Sequence, residues 1–146
     1  MSVALVTGVA TSKLSNEAGR AIVSARGNHF VVDSPAPLGG PNEERNPIDL
    51  LLGALATCAT FICETAAREQ QIPLDALTVT AAGDFDARGL CGDDANPRMQ
   101  AFRVRLAMTG PSEAQSESLV EALRERCPVY PTLSRSAPIE VEVVLG

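Results

Sequence analysis

The stretch Asn46-Pro47-Ile48-Asp49-Leu50-Leu51-Leu52-Gly53-Ala54-Leu55-Ala56-Thr57-Cys58 joins the signals of a helix start to an unbroken apolar run. Asn46 is a good N-cap, because its side-chain oxygen can accept the unpaired amides of the first turn. Pro47 fits the first helical position, where its missing N–H costs nothing, and Asp49 complements the positive end of the helix dipole. Across residues 50–67 nearly every face is apolar or small, which predicts a helix buried all round. Polarity returns at Arg68-Glu69-Gln70-Gln71, with Pro73 beyond the stop. Cys58 falls near the middle of this run.

Working outward, residues 3–7, 20–24 and 29–33 read as short strands rich in β-branched side chains. A turn-rich surface loop follows, Ser34-Pro35-Ala36-Pro37-Leu38-Gly39-Gly40-Pro41-Asn42. Beyond the helix, residues 77–85 read as a strand, and Ala101-Phe102-Arg103-Val104-Arg105-Leu106-Ala107-Met108 alternates strictly, the sign of a sheet with one wet face. A Gly/Asp/Asn/Pro loop between these two carries Cys91. A second helix starts at Ser112, with Gln115 placed to complete a capping box and Leu119, Val120 and Leu123 as its inner stripe. The chain closes in the alternating strand Ile139-Glu140-Val141-Glu142-Val143-Val144-Leu145. This order predicts one α+β domain over residues 1–146, with antiparallel sheets around a long buried central helix. An all-round apolar helix is hard to bury in so small a domain, so a second subunit is expected to cover part of it.

Composition narrows the function classes. Hydrophobic residues make up 45% of the chain and charged ones 21%, a soluble balance. Aromatics are only 3% with no Trp, which disfavours stacking platforms for bases or sugars. A net charge of −6 argues against nucleic acid or an anionic membrane surface as a partner. Met1-Ser2-Val3-Ala4-Leu5-Val6-Thr7 has no basic region or cleavage site of a signal peptide, and the uncharged run 50–63 is too short to span a bilayer. Four cysteines without close pairing in such a chain favour reduced thiols and a cytoplasmic location.

Cys58 and Cys127 are the candidates for chemistry. The second lies in Arg126-Cys127-Pro128-Val129-Tyr130, just after the second helix. Two inert core cysteines would look the same, since free Cys is among the most buried residue types. A reactive Cys58 needs a cation to lower its thiolate pKa, and Arg20, Arg26, Arg45 and Arg135 are available. The negative helix end beside Cys127 suits a resolving thiol better than an attacking one. Cys63 follows Cys58 by five positions, roughly 8–9 Å along and around an ideal helix and about 140° away in direction, so it reads as core. No Cys-x-x-Cys or His-x-x-x-His spacing links the cysteines to His29, and zinc is not expected. A hydrolytic triad and nucleotide-binding glycine motifs are likewise missing. Neither a cofactor nor a metal is called for.

Three stretches in order resemble the OsmC/Ohr superfamily of thiol-dependent hydroperoxide reductases. They are His29-Phe30-Val31-Val32-Asp33-Ser34-Pro35 leading to Leu38-Gly39-Gly40; Asn46-Pro47 through Cys58; and Cys127-Pro128-Val129 followed by Leu133 and the closing strand. The resemblance covers roughly residues 20–146. It implies an OsmC-like fold, an intertwined homodimer with sites at the subunit interface, Cys58 as the peroxidatic thiol and Cys127 as the resolving one. Catalysis would turn an organic hydroperoxide into its alcohol, with an external dithiol (a lipoyl protein or a thioredoxin-like one) restoring the pair. Leu51, Leu55, Phe61 and Ile62 would form apolar walls for the substrate.

The chain departs from the pattern at one informative place. The peroxidases of the superfamily carry Glu directly after Asn-Pro, where it pairs with an Arg that orients the thiolate. Here Ile48 holds that position and the nearest acid is Asp49, which makes the chain more similar to the YhfA-like OsmC branch. Arg20 is the best positional match for the family arginine, with Arg26 second. Two expectations follow: a cytoplasmic hydroperoxide reductase serving oxidative-stress defence, or a non-catalytic OsmC-fold protein that binds a small apolar ligand or senses oxidants.

Overall fold

The computed structural model describes residues 3–146; Met1 and Ser2, part of the stretch read for a signal peptide, lie outside it. The chain forms two compact units, Met1–Leu50 and Leu51–Gly146.

In the first unit, strands β1 (Thr11–Leu14), β2 (Arg20–Ala25) and β3 (Asn28–Asp33) make an antiparallel sheet in that order. Arg26 and Gly27 form the two-residue β2–β3 turn, both left-handed at φ 51° and 78°. Those paired positive values match the right-handed twist of the flanking strands, and glycine adopts them without strain. The strand expected at residues 3–7 does not form. Val3, Leu5 and Val6 are exposed and irregular, and the sheet instead takes Thr11–Leu14 opposite β2. β-Propensity without a partner strand carries little weight. After β3, a short 3-10 turn (Ala36–Leu38) ends on left-handed Gly39. Gly40 then passes so close to Ser34 that a Cβ there would lie 1.9 Å from the Ser34 carbonyl oxygen.

Helix α1 (Pro47–Glu69) starts where the sequence says. Asn46 Oδ1 accepts the amides of Ile48 and Asp49 at 2.8 and 3.0 Å, and Asp49 Oδ2 accepts the Asn46 amide at 2.9 Å. This reciprocal cap satisfies three donors that the first turn cannot.

The second unit holds most of α1 with β4 (Ala76–Asp84), β5 (Ala101–Thr109), α2 (Glu113–Arg126), α3 (Val129–Ser134) and β6 (Ile139–Leu145). Phe102, Val104, Leu106 and Met108 line one face of β5 and are fully buried, while Arg103 and Arg105 reach the wet face to pair with Asp84 and Glu142. The apolar face belongs to one core with Leu55, Ala59, Cys63 and Ala66 of α1 and Leu119 and Leu123 of α2. Each large side chain buried here contributes roughly 1.5–3 kcal/mol. The capping box of α2 is present as read, Ser112 Oγ accepting the Gln115 amide and Gln115 Oε1 accepting the Ser112 amide.

Two expectations about this unit are corrected. The sheet order is β4-β5-β6, and β6 runs parallel to β5, not antiparallel. A parallel neighbour needs a long crossover, and the segment holding α2 and α3 provides it. Helix α1 is also not buried all round. Gly53, Ala54, Thr57, Phe61, Glu64 and Arg68 form an exposed stripe along it, with Phe61 at 62% exposure. At 100° per residue these positions fall on one side, away from the face of Leu55, Ala59 and Cys63. By length and composition alone α1 could cross a bilayer. Its buried positions are nonetheless spent on the α/β core.

Candidate thiol site

Cys127 is the residue that ends α2. Its amide donates to the Leu123 carbonyl, and its side chain is buried. The Cys127 thiol donates to Cys58 Sγ across 2.8 Å. Both thiols are free, and at this separation a disulfide needs only a small side-chain movement. The pair therefore joins the middle of the core helix to the turn between α2 and α3, within the crossover.

A main-chain amide of the next turn holds the Cys127 sulfur. The Tyr130 amide donates to Cys127 Sγ at 3.3 Å. Pro128 sets this up, since it occupies the cap of α3 with φ −70°, the value its ring fixes, and leaves the following amides free to turn inward. The sequence reading missed α3 and the Tyr130 amide. A six-residue helix is too short to show periodicity, and only the Cys-Pro dipeptide hinted at the turn.

The electrostatics of the closed pair favour the thiol. Burial, followed by the hydrogen bond and charge of Cys127, pushes the Cys58 pKa up to about 11, against a smaller lowering by the Val129 amide. Cys63 is also pushed up to about 11, by burial first and then by Cys127. Cys63 is fully buried and donates to the Leu119 carbonyl at 3.7 Å, as a core residue does. Cys91 is exposed at the end of a 3-10 turn. Among the described residues, no group of three His, Cys, Asp or Glu side chains gathers to hold a metal ion.

The other residues singled out in the sequence fall in varied places. Leu55 is entirely buried and serves the core, while Leu51 and Ile62 are partly buried against it. On an ideal helix Leu51, Leu55 and Ile62 lie within about 60° of Cys58. Phe61 stands on the exposed stripe. Asp49 is engaged in the cap of α1. In the first unit, Arg20 donates to both carboxylate oxygens of buried Asp33 at 2.7 and 2.8 Å and to Glu43 at 2.8 Å. Asp33 also accepts the amides of Glu43 and Glu44. Together these bonds hold the Asp33 carboxyl well below its usual range and the Arg20 guanidinium well above its own. Arg26 is the corner of the β2–β3 turn, and Arg45 stacks over Phe30.

An α+β frame that brings two free thiols into contact across a core helix defines a class of two-thiol protein. Residues 40–142 match the family described as OsmC-like protein, and the chain belongs to that family. No match is found among curated proteins. Solved structures share the fold over nearly the whole chain. An OsmC-like protein from Mycoplasma pneumoniae is 20% identical, with TM-score 0.81 over 96% of this chain and 97% of that one. An organic hydroperoxide resistance protein OsmC from Legionella pneumophila is 21% identical, with TM-score 0.75 over 97% and 99%. An organic hydroperoxide resistance protein from Elizabethkingia anophelis is 19% identical, with TM-score 0.77 over 98% and 99%. At these identities the likeness speaks for the fold.

Proposed function

We propose that this chain is a thiol-dependent reductase of organic hydroperoxides that works through Cys58 and Cys127. The observation that carries the reading is the 2.8 Å contact between the two sulfurs. Cys58, as thiolate, attacks the terminal peroxide oxygen. The O–O bond breaks, the alcohol leaves after taking a proton, and Cys58 becomes a sulfenic acid. The Cys127 sulfur then displaces water to form the disulfide, and an external dithiol reduces it by exchange, becoming oxidised itself. Because Cys58 is held as a thiol by burial and by Cys127, the attacking state needs a cation or base brought to it. Arg20 and Arg26 are the arginines that the family resemblance nominates.

Assembly and setting follow from the same reading. The exposed apolar stripe of Gly53, Ala54, Thr57 and Phe61 supports a homodimer that covers it. Four free cysteines suit a reducing cytoplasm. The test is consumption of tert-butyl and cumene hydroperoxide with dihydrolipoamide as reductant, for wild type, Cys58→Ser and Cys127→Ser. Turnover in wild type that Cys58→Ser abolishes supports the enzyme; no turnover in reduced protein defeats it for these substrates.

A second reading is favoured by Ile48 and by the raised Cys58 pKa: an oxidant sensor or binder of small apolar molecules with no turnover. A single oxidation to the disulfide, without reductant-driven cycling, would select it.

A further inference from the structure

In the second unit, Arg68, Arg88, Arg103, Arg105, Arg124 and Arg126 each hold a carboxylate of that unit. Its two remaining arginines, Arg98 and Arg135, form no ion pair among the described residues, although acidic residues outnumber basic ones 18 to 12 in the chain. Arg98 and Arg135 both line one open groove of about 490 Å³, together with Leu51, Met99, Phe102, Leu133 and Ser136. That volume lies within the range of small-molecule sites. In an acidic chain, two arginines without an ion pair at one groove of mixed lining are a charge arrangement without an internal counterion among the described residues.

We propose that this groove binds the carboxylate end of an aliphatic amphiphile. The two guanidiniums take the carboxylate by charge-assisted hydrogen bonds, and the alkyl chain lies against Leu51, Met99, Phe102 and Leu133. Leu51 stands two turns before Cys58 on the same side of α1, about 10 Å along the helix axis. The site needs neither thiol and holds whether or not the chain reduces peroxides.

Binding of decanoate, decanol and acetate to the reduced Cys58→Ser protein, followed by isothermal titration calorimetry, tests this apart from any redox activity. Decanoate binds, and each methylene removed weakens it about fourfold. Decanol and acetate bind at least tenfold more weakly, the first for lack of charge and the second for lack of a chain. Arg98→Ala and Arg135→Ala each weaken decanoate about tenfold, and Arg→Lys at either position recovers part of the loss. Raising salt weakens decanoate but not decanol. Circular dichroism melts confirm that the variants remain folded. Equal binding of decanoate and decanol, unchanged affinity in both folded alanine variants, or no binding of decanoate would each overturn the proposal.

Discussion

The sulfurs of Cys58 and Cys127 lie 2.8 Å apart, and the Tyr130 amide donates to the Cys127 sulfur. The two residues are thus poised for oxidation to a single intramolecular bond. One equivalent of cumene hydroperoxide should lower the mass of the reduced chain by two hydrogens and link the peptides that contain Cys58 and Cys127. In Cys127→Ser a dimedone-trapped sulfenic acid should accumulate on Cys58 instead. Peptide mapping that finds Cys63 or Cys91 as the oxidised partner would contradict the geometry.

The raised Cys58 pKa makes a kinetic prediction. A group with its pKa near 11 is mostly thiol at neutrality, and its thiolate fraction grows as pH rises. Alkylation of Cys58 by iodoacetamide should therefore speed up about tenfold per pH unit above pH 7 and level off only near pH 11. A rate already flat between pH 6 and 8 would mean that a cation lowers the thiol in solution and that the closed pair is not the reactive state.

Asp33 predicts acid sensitivity in the first unit. Its folded pKa is depressed below the ordinary 3.8, chiefly by the Arg20 hydrogen bonds. The stability this supplies is present above pH 3.8 and lost as pH falls through the depressed value. Asp33→Asn should be less stable at pH 7 and lose less stability than wild type between pH 5 and pH 2. Hydrogen exchange of the β2 and β3 amides reports this directly. Equal acid dependence in the two proteins would remove Asp33 from the account.

Phe61 offers a test of assembly. The reading of its exposed stripe as a homodimer surface implies that Phe61→Glu gives monomers at micromolar concentration, by sedimentation velocity, with an unchanged far-UV spectrum. A wild-type protein that sediments as a monomer would sink the dimer without touching the thiol chemistry.

Much of this architecture is legible in the residues themselves. Asn46, Pro47 and Asp49 announce the start of α1, Ser112 and Gln115 the start of α2, and the alternation in β5 its wet and dry faces. The direction of β6 is not legible, because alternating side chains look the same in a parallel or an antiparallel neighbour. Residues 3–7 mislead because propensity was read without a partner. At the site, residue spacing left Cys58 and Cys127 open to an inert reading, and the family resemblance selected them. The contact between their sulfurs depends on α3, which is too short to announce itself. Arg135 stands in the sequence only as one of four cations available to Cys58, and Arg98 is not singled out at all, because an unpaired arginine is defined by the neighbours it lacks, and sequence does not display neighbours.

The crossover that makes β6 parallel to β5 also carries Cys127 back to α1 over a sequence separation of 69. Closing so long a loop with a disulfide removes about 4 kcal/mol of unfolded-chain entropy in the simple loop-closure picture. A molecule that has met an oxidant would therefore open less often and resist proteolysis longer than its reduced twin. Recent oxidant exposure would then be recorded in how long each copy of the protein survives.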